Sequence, residues 1–392
     1  MIEETPRNQH LDYGIVAAMF TLWLFGSAIV YTSSNQLAIT KYGDAFYLLK
    51  KHLLFSIVGI AVFAFAIRFD IEKLRDSRLN KIPISLLLLG ISALLLICVF
   101  IPGLGHRAGN AKRWLNLLFI KFQPSEFLKL ALCIFYANYI TRYNRDIHTL
   151  RYGLLIPFGI LLPFILLLLL QPDLGTVIML GLWLCVMLFI SGTSYVHLCT
   201  SFLSVIALGT LFVLKKGYNI DRVLVYLDPW KDALGKGFQP IHSMYAFSLG
   251  GIWGRGPGES LQKLFYLPEA HTDYALSVVA EEFGFLAIVI FMILYGIIIW
   301  KGIHLAYSTR DRFRRSLAWG LVSIFSLQVV INMGVVTALL PPKGLTLPFI
   351  SYGGSSLVFT FAMLGLLVNL SRQKEVGMAA GNLGVRPLTV IK

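Results

Sequence analysis

The segment Leu267-Pro268-Glu269-Ala270-His271-Thr272-Asp273 ends on an acid, where a polar stretch gives way to an apolar run through Val278 and Val279. A carboxylate at a boundary between water and lipid is partly desolvated, which raises its pKa and suits it to accept a proton. The same residues fit a helix N-cap, because Thr and Asp are common there, and the pattern alone favours the cap. Glu281 and Glu282 follow two turns later and fit an ion pair or a polar cavity better than catalysis.

Cations and glycines offer a second kind of chemistry. Gln123-Pro124-Ser125-Glu126-Phe127-Leu128-Lys129 sets Glu126 and Lys129 three apart, on one helical face inside an otherwise apolar run. Such charges must pair or face a polar cavity, so a helix-locking ion pair and a substrate contact are both open. Upstream, Lys112-Arg113-Trp114 and Lys121 form a basic and aromatic cluster. It reads as a headgroup-level belt or, more sharply, as a pyrophosphate clamp. Gly250-Gly251-Ile252-Trp253-Gly254-Arg255-Gly256-Pro257-Gly258 fits a re-entrant turn or an anion cradle of backbone amides, with Arg255 adding charge. It is no dinucleotide fingerprint, since no strand precedes it. Gln171-Pro172-Asp173-Leu174-Gly175-Thr176 reads as a turn with Asp173 capping the next helix. The stretch from Pro341 through Lys343, Ser351 and Ser355 to Ser356 has too many prolines and glycines for a helix. Broken backbone at membrane depth needs protein or a polar cavity around it, which points to a polar pocket facing outward.

Long apolar runs must position these groups. The chain has 392 residues, 57% of them hydrophobic and only 14% charged, against roughly 25% charged in soluble domains. With a mean hydropathy of +0.73, the composition excludes a soluble globular fold, a disordered chain, a collagen-like fibre and a disulfide scaffold. Cys98, Cys133, Cys185 and Cys199 all lie in apolar runs without metal-ligand spacing, so no metal ligands are assigned. Runs near the 20 residues that a membrane helix requires fall at 13–32, 53–67 (short), 82–105, 122–141, 152–172, two within 174–214, 283–300, 316–342 and 344–371. The last two exceed a bilayer and predict kinks or re-entrant pieces. The expected fold is all-α: a polytopic transmembrane helical bundle of about ten spans. It forms a single integral membrane domain over 1–392, with a long outer loop at 215–272 between spans seven and eight and tails at 1–12 and 372–392.

The net charge of +14 sits in short segments between the runs, which points to topology and anionic headgroups rather than to nucleic acid. With ten spans both ends share a side, which carries 18 Lys and Arg against 8 opposite once the long loop is set aside. Long loops count little in this rule, so both termini are expected to be cytoplasmic and the loop outside.

Four motifs in order then resemble one family: Arg113-Trp114 with Gln123-Pro124-Ser125-Glu126, Gln171 to Thr176, Pro268 to Asp273, and Leu347-Pro348-Phe349-Ile350-Ser351-Tyr352-Gly353-Gly354-Ser355-Ser356. The sequence resembles the SEDS family (shape, elongation, division and sporulation) of peptidoglycan glycosyltransferases. Glu269-Ala270-His271 and Lys343-Gly344-Leu345-Thr346 lean towards its division branch, with the elongation branch as runner-up. The resemblance implies that Asp273 is the essential carboxylate, which overturns the cap reading, and that lipid II is the substrate. Arg113, Lys121, Arg255 and Lys343 become candidates to meet the pyrophosphate charge. Glu126 and Lys129 would line or brace the cavity, and His271, Ser351 and Ser355 join the substrate-binding set. No cofactor is implied with certainty, although a divalent cation, Mg or Mn, could share the charge. The implied partners are a class B penicillin-binding protein transpeptidase and other division proteins, at the septum of the cell inner membrane. The rival readings are a lipid II flippase, which would need a coupling-ion site or repeat not visible in the sequence, and a recruiting scaffold.

Overall fold

Apolar runs become helices where a polar residue or a proline can start them. The computed structural model describes residues 12–75, 78–79, 82–108, 111–117, 120–197, 199–200, 203, 207, 226, 228–235, 237–263, 267 and 269–382. The expected seventh span, much of the outer loop, most of the first tail and the end of the second lie outside them. In α1 (Tyr13–Tyr42) the Asp12 carboxylate accepts from the amides of Gly14 and Ile15, satisfying two of the four orphan donors of a helix start. α4 (Pro124–Arg142) begins on a proline, whose missing N–H is no loss in the first turn. Asp311 caps α9 (Arg312–Val336) through the Arg314 amide.

The remaining helices are α2 (Tyr47–Arg68), α3 (Ile84–Cys98), α5 (Ile156–Leu170), α6 (Leu174–Ile190), α7 (Phe238–Gly250), α8 (Ala275–Ser308) and α10 (Gly354–Asn382). Among the described residues, six helical segments are long and apolar enough to cross a membrane: α1, α2, 151–170 including α5, α8, α9 and the first part of α10. α3 and α6 are shorter apolar helices. α7 lies within residues 215–272, the stretch expected to form the outer loop. The expected spans at 316–342 and 344–371 are cut short: α9 stops at Val336, α10 starts at Gly354, and residues 337–353 between them carry no helix. Three prolines there remove donors and disfavour helix in the residues before them. Ala338 and Phe349 sit at φ of 58° and 67°, strained for non-glycine residues and held by the buried surroundings of Phe349.

α4 is buried on nearly every side, which is why it tolerates ionised groups that no lipid-facing helix could carry. It packs on α3 and α9, α2 packs on α10, and α8 packs on α1, α7 and α9. Outward faces instead expose large apolar side chains, such as Ile57 on α2, Leu94 on α3 and Trp300 on α8. The departures from an all-helical chain are a two-residue antiparallel pairing of β1 (Arg78–Leu79) with β2 (Ile82–Pro83) and a small antiparallel sheet after α3. It is formed by β3 (Gly105–Ala108), β4 (Ala111–Leu117) and β5 (Ile120–Phe122), with β4 central. β4 holds Arg113, and β5 pairs Lys121 opposite Asn116.

α8 is broken where the glycine-rich turn enters it. Gly284 has φ of 73° and ψ of −172°, and a Cβ there would lie 2.4 Å from the Gly254 nitrogen. Arg255 N and Gly256 N donate to the carbonyls of Glu281 and Glu282, while Phe285 N and Leu286 N donate to Gly251 and Ile252. The break in the helix is thus re-satisfied by the turn's own backbone, as buried polar groups require.

Candidate active site

Asp273 does not cap α8: the N-cap position is Tyr274, with no side-chain cap bond. The carboxyl of Asp273 is half-buried in a convergence of four segments. These are β4, the turn 171–173 between α5 and α6, the approach to α8, and the irregular segment 337–353. A Cβ at Gly344 would stand 3.2 Å from Asp273 Oδ2 and 3.7 Å from Arg113 Nη1, so acid and guanidinium meet across a residue with no side chain. Burial and the nearby Glu269 raise the Asp273 carboxyl, Arg113 pulls it down and Asp173 pushes it up, with the balance at about 7. An acid tuned to this range is half ionised near neutral pH, the condition for an effective general base.

Arg113 is itself anchored. Its Nε donates to the Gln171 carbonyl at 3.4 Å, Nη2 donates to the Pro172 carbonyl, and Nη1 lies 3.6 Å from Asp173 Oδ1. Asp173 offers no cap bond to the backbone of α6, contrary to the capping expectation. Its carboxylate accepts from the Thr176 hydroxyl at 2.8 Å and faces Arg113. Lys343 lies against the start of α6, its Cβ 3.8 Å from where a Cβ at Gly175 would stand. Lys121 Nζ lies 2.9 Å from His106 Nε2 across the small sheet. Burial and the Lys121 cation both push His106 below the usual imidazole range, so the ring accepts from the ammonium.

Other candidates are structural in their contacts. The Ser355 hydroxyl donates to the Lys121 carbonyl and accepts from the Gln123 amide, tying α10 to the start of α4. Ser351 Oγ accepts from the Leu347 amide, closing the turn that leads to α10. The His271 carbonyl accepts from Tyr352 N at 2.8 Å, and burial lowers its imidazole. Pro268 lies outside the described residues. Arg255 is exposed on the glycine-rich turn, and that turn's amides at 254, 255 and 256 are bonded to carbonyls of Gly250, Glu281 and Glu282. These bonds fit the turn rather than the anion cradle, and among the described residues none of the contacts named around Asp273 involves Arg255. Glu281 accepts from Ser260 Oγ and the amides of Leu261 and Gln262, and Glu282 pairs with Lys263 at 3.0 Å, the structural role expected of both.

Glu126 and Lys129 form an ion pair at 2.7 Å, both side chains buried. Lys129 also donates to Gln328 Oε1 at 2.9 Å, and Gln328 Nε2 donates to the Thr346 carbonyl at 3.0 Å. The pair therefore braces the segment 337–353 from below. Gln328 and Asn332, one turn apart on α9, were not among the residues singled out from the sequence. Asn332 Nδ2 donates to the carbonyls of Asp273 at 2.9 Å and Leu345 at 2.6 Å. Polar residues one helical turn apart in an apolar run were the only signal. Among the described residues no three His, Cys, Asp or Glu side chains converge to hold a metal. A divalent ion would need pyrophosphate oxygens as further ligands.

Residues 13–376 match the family model described as cell cycle protein, FtsW/RodA/SpoVE. The chain belongs to this family, the SEDS proteins. It is 39% identical over 363 residues to the probable peptidoglycan glycosyltransferase FtsW of Geobacter sulfurreducens, covering 93% of this chain and 95% of that one. Stage V sporulation protein E of Bacillus subtilis is 38% identical over 371 residues, covering 94% and 99%. Among solved structures, one chain from work on the structural coordination of polymerization and crosslinking by a peptidoglycan synthase complex superposes with a TM-score of 0.75. It has 29% identity and covers 93% of this chain and 98% of that one. The rod shape determining protein RodA of Thermus thermophilus gives a TM-score of 0.68 at 26% identity, covering 94% and 99%. All four SEDS-like motifs fall within the matched residues. Three contribute directly to the convergence at Asp273, and the fourth ties α10 to the start of α4 through Ser355.

Proposed function

We propose that this protein polymerises lipid II into glycan strands during cell division, with Asp273 as the general base. The enzyme class, a peptidoglycan glycosyltransferase of cell-wall synthesis in a multi-pass membrane protein, follows from relatives so named at 39% identity over nearly the whole chain. The observation that carries the mechanism is the half-buried Asp273 carboxyl poised at about 7 beside the anchored Arg113. Asp273 takes the proton of the acceptor sugar 4-hydroxyl, and that oxygen forms a bond to the donor anomeric carbon. The bond from that carbon to the phosphate oxygen breaks, and undecaprenyl pyrophosphate leaves with the electron pair. Negative charge grows on the pyrophosphate, so preorganised cations on the same side lower the barrier. Lys343 and Lys121 are the candidates for that work, because Arg113 already serves three oxygens of the turn 171–173. No step here is routed through a metal ion.

The division role, rather than elongation, is supported by relatives named for FtsW and for sporulation. We place both termini in the cytoplasm on the distribution of Lys and Arg, and the protein at the septum with a class B penicillin-binding protein transpeptidase and other division proteins. Similarity to a chain of a peptidoglycan synthase complex supports that partnership. Purified protein incubated with labelled lipid II, with and without the transpeptidase, tests the activity. Glycan polymer is expected from the wild type and none from Asp273→Asn, which should insert normally. Polymer from the Asn variant would remove Asp273 as the base, and translocation without polymer would favour a flippase.

A further inference from the structure

Asn332 touches both halves of the site through their main chain. It is fully buried on α9, and its amide nitrogen donates to two main-chain carbonyls. One is that of Asp273, before α8, and the other is that of Leu345, in the broken segment before α10. These two strands of backbone are 72 positions apart in sequence, and one NH₂ group spans them. The residue beside Leu345 is Gly344, the one that abuts the Asp273 carboxylate and Arg113.

The amide orientation is dictated by its neighbours. Turned over, Asn332 would present its oxygen to two carbonyls, a repulsion that leaves only the observed arrangement. The consequence is that Oδ1 is buried with no hydrogen-bond partner. An orphaned buried acceptor is destabilising, so the side chain is held there by what its two donors do. Gln328, one turn earlier, repeats the device on Thr346 with its own amide and is fixed in turn by Lys129. α9 thus presents two carboxamides to consecutive parts of one irregular segment.

We infer that Asn332 is the positioning residue of this enzyme, a two-carbonyl clamp that holds the general base against the segment shielding it from water. The inference rests on the assignment of Asp273 as that base. Loss of the clamp frees Leu345 and Gly344 to move away, admits water to the carboxylate and lets it swing from the acceptor hydroxyl. Misplacement by about 1 Å at a reacting group lowers turnover by about 10²-fold. Water entry also returns the acid towards its ordinary range. The charged groups that face Asp273 from the packed elements are Arg113, Asp173 and Glu269, with Lys343 nearby on the broken segment, and none of them is altered by the substitution.

The test compares full-length protein in detergent or lipid nanodiscs, wild type against Asn332→Ala and Asp273→Asn, with labelled lipid II and a pH series. Ser323→Ala serves as a control, because it deletes a buried hydroxyl of α9 that bonds only to its own helix. For Asn332→Ala the expectation is kcat down by about 10²-fold, KM for lipid II nearly unchanged, and the acid limb of kcat moved to lower pH. Ser323→Ala should keep wild-type kcat. Should the alanine variant be lost from the membrane, Asn332→Leu keeps the volume, removes both donors without adding a charge beside Asp273, and is read in the same way. Wild-type kcat, or a loss of kcat with the acid limb unmoved, overturns the clamp. So does an equal loss in Ser323→Ala. Full activity in Asp273→Asn overturns the base assignment instead, and the two failures are told apart by that variant alone.

Discussion

The Asp273 carboxyl is held between burial, which favours its neutral form, and a guanidinium that favours its charge. Because its pKa lies near 7 instead of 3.8, the folded protein holds a proton that the unfolded chain has released between those values. The sign follows: the native state is favoured while this acid is protonated, and stability falls as pH rises from about 4 to 7. Activity runs the other way, since the base must be ionised. We expect kcat to rise through pH 7 to a plateau, while the melting temperature in detergent declines over the preceding pH range. Asp273→Asn should abolish the rise in activity and, above pH 7, melt higher than the wild type. The neighbouring glycine makes a second test. Gly344→Ala brings a methyl to 3.2 Å from Asp273 Oδ2, closer than ordinary contact. Turnover should fall about tenfold by displacement of the base, with melting unchanged. Gly90→Ala, in open space on α3, should leave turnover alone.

At the scale of elements, α4 and α9 form the buried frame, and the charged pair between Glu126 and Lys129 is its most demanding part. Removing either partner strands an ion inside protein, which costs about 3–5 kcal/mol. Single reversals, Glu126→Lys or Lys129→Glu, should therefore lose folded protein on size-exclusion in detergent, and the double reversal should restore part of it. Full restoration is not expected, because the swap sets the cation at the N-terminal end of α4, against the helix dipole. No rescue at all would mean that the two residues act separately. The break in α8 has the opposite character. Its backbone carbonyls at 281 and 282 and its amides at 285 and 286 are matched one to one by the turn 251–256. The turn 251–256 is thereby pinned to the very helix whose entrance carries Asp273.

For the whole molecule, the charge distribution predicts that both termini face the cytoplasm. A reporter fused to either end that is active only in the cytoplasm should be active, and one fused within the outer loop should not; the reverse pattern would invert the placement of the site. Helix positions along most of the chain were legible because a bilayer imposes a length and a hydropathy that few polar residues can interrupt. The interruption before α10 was legible too, since Pro341, Pro342 and Pro348 cannot continue a helix. Asp273 was singled out by its boundary position, although local pattern alone preferred a cap. Resemblance, not periodicity, tipped that choice. What tertiary structure alone decided was which backbone groups the polar side chains would find. Asp173 faces Arg113 and Thr176 instead of capping α6, the amides of the turn at Arg255 bond to α8 instead of an anion, Ser351 closes a turn, and Ser355 ties α10 to the start of α4. Gln328 and Asn332 become braces of the site only because α9 passes beneath both segments. Hydrophobic periodicity reports which face of a helix leaves water, but a hydrogen bond between distant residues depends on where two chains end up within 3 Å, and no local pattern encodes that distance.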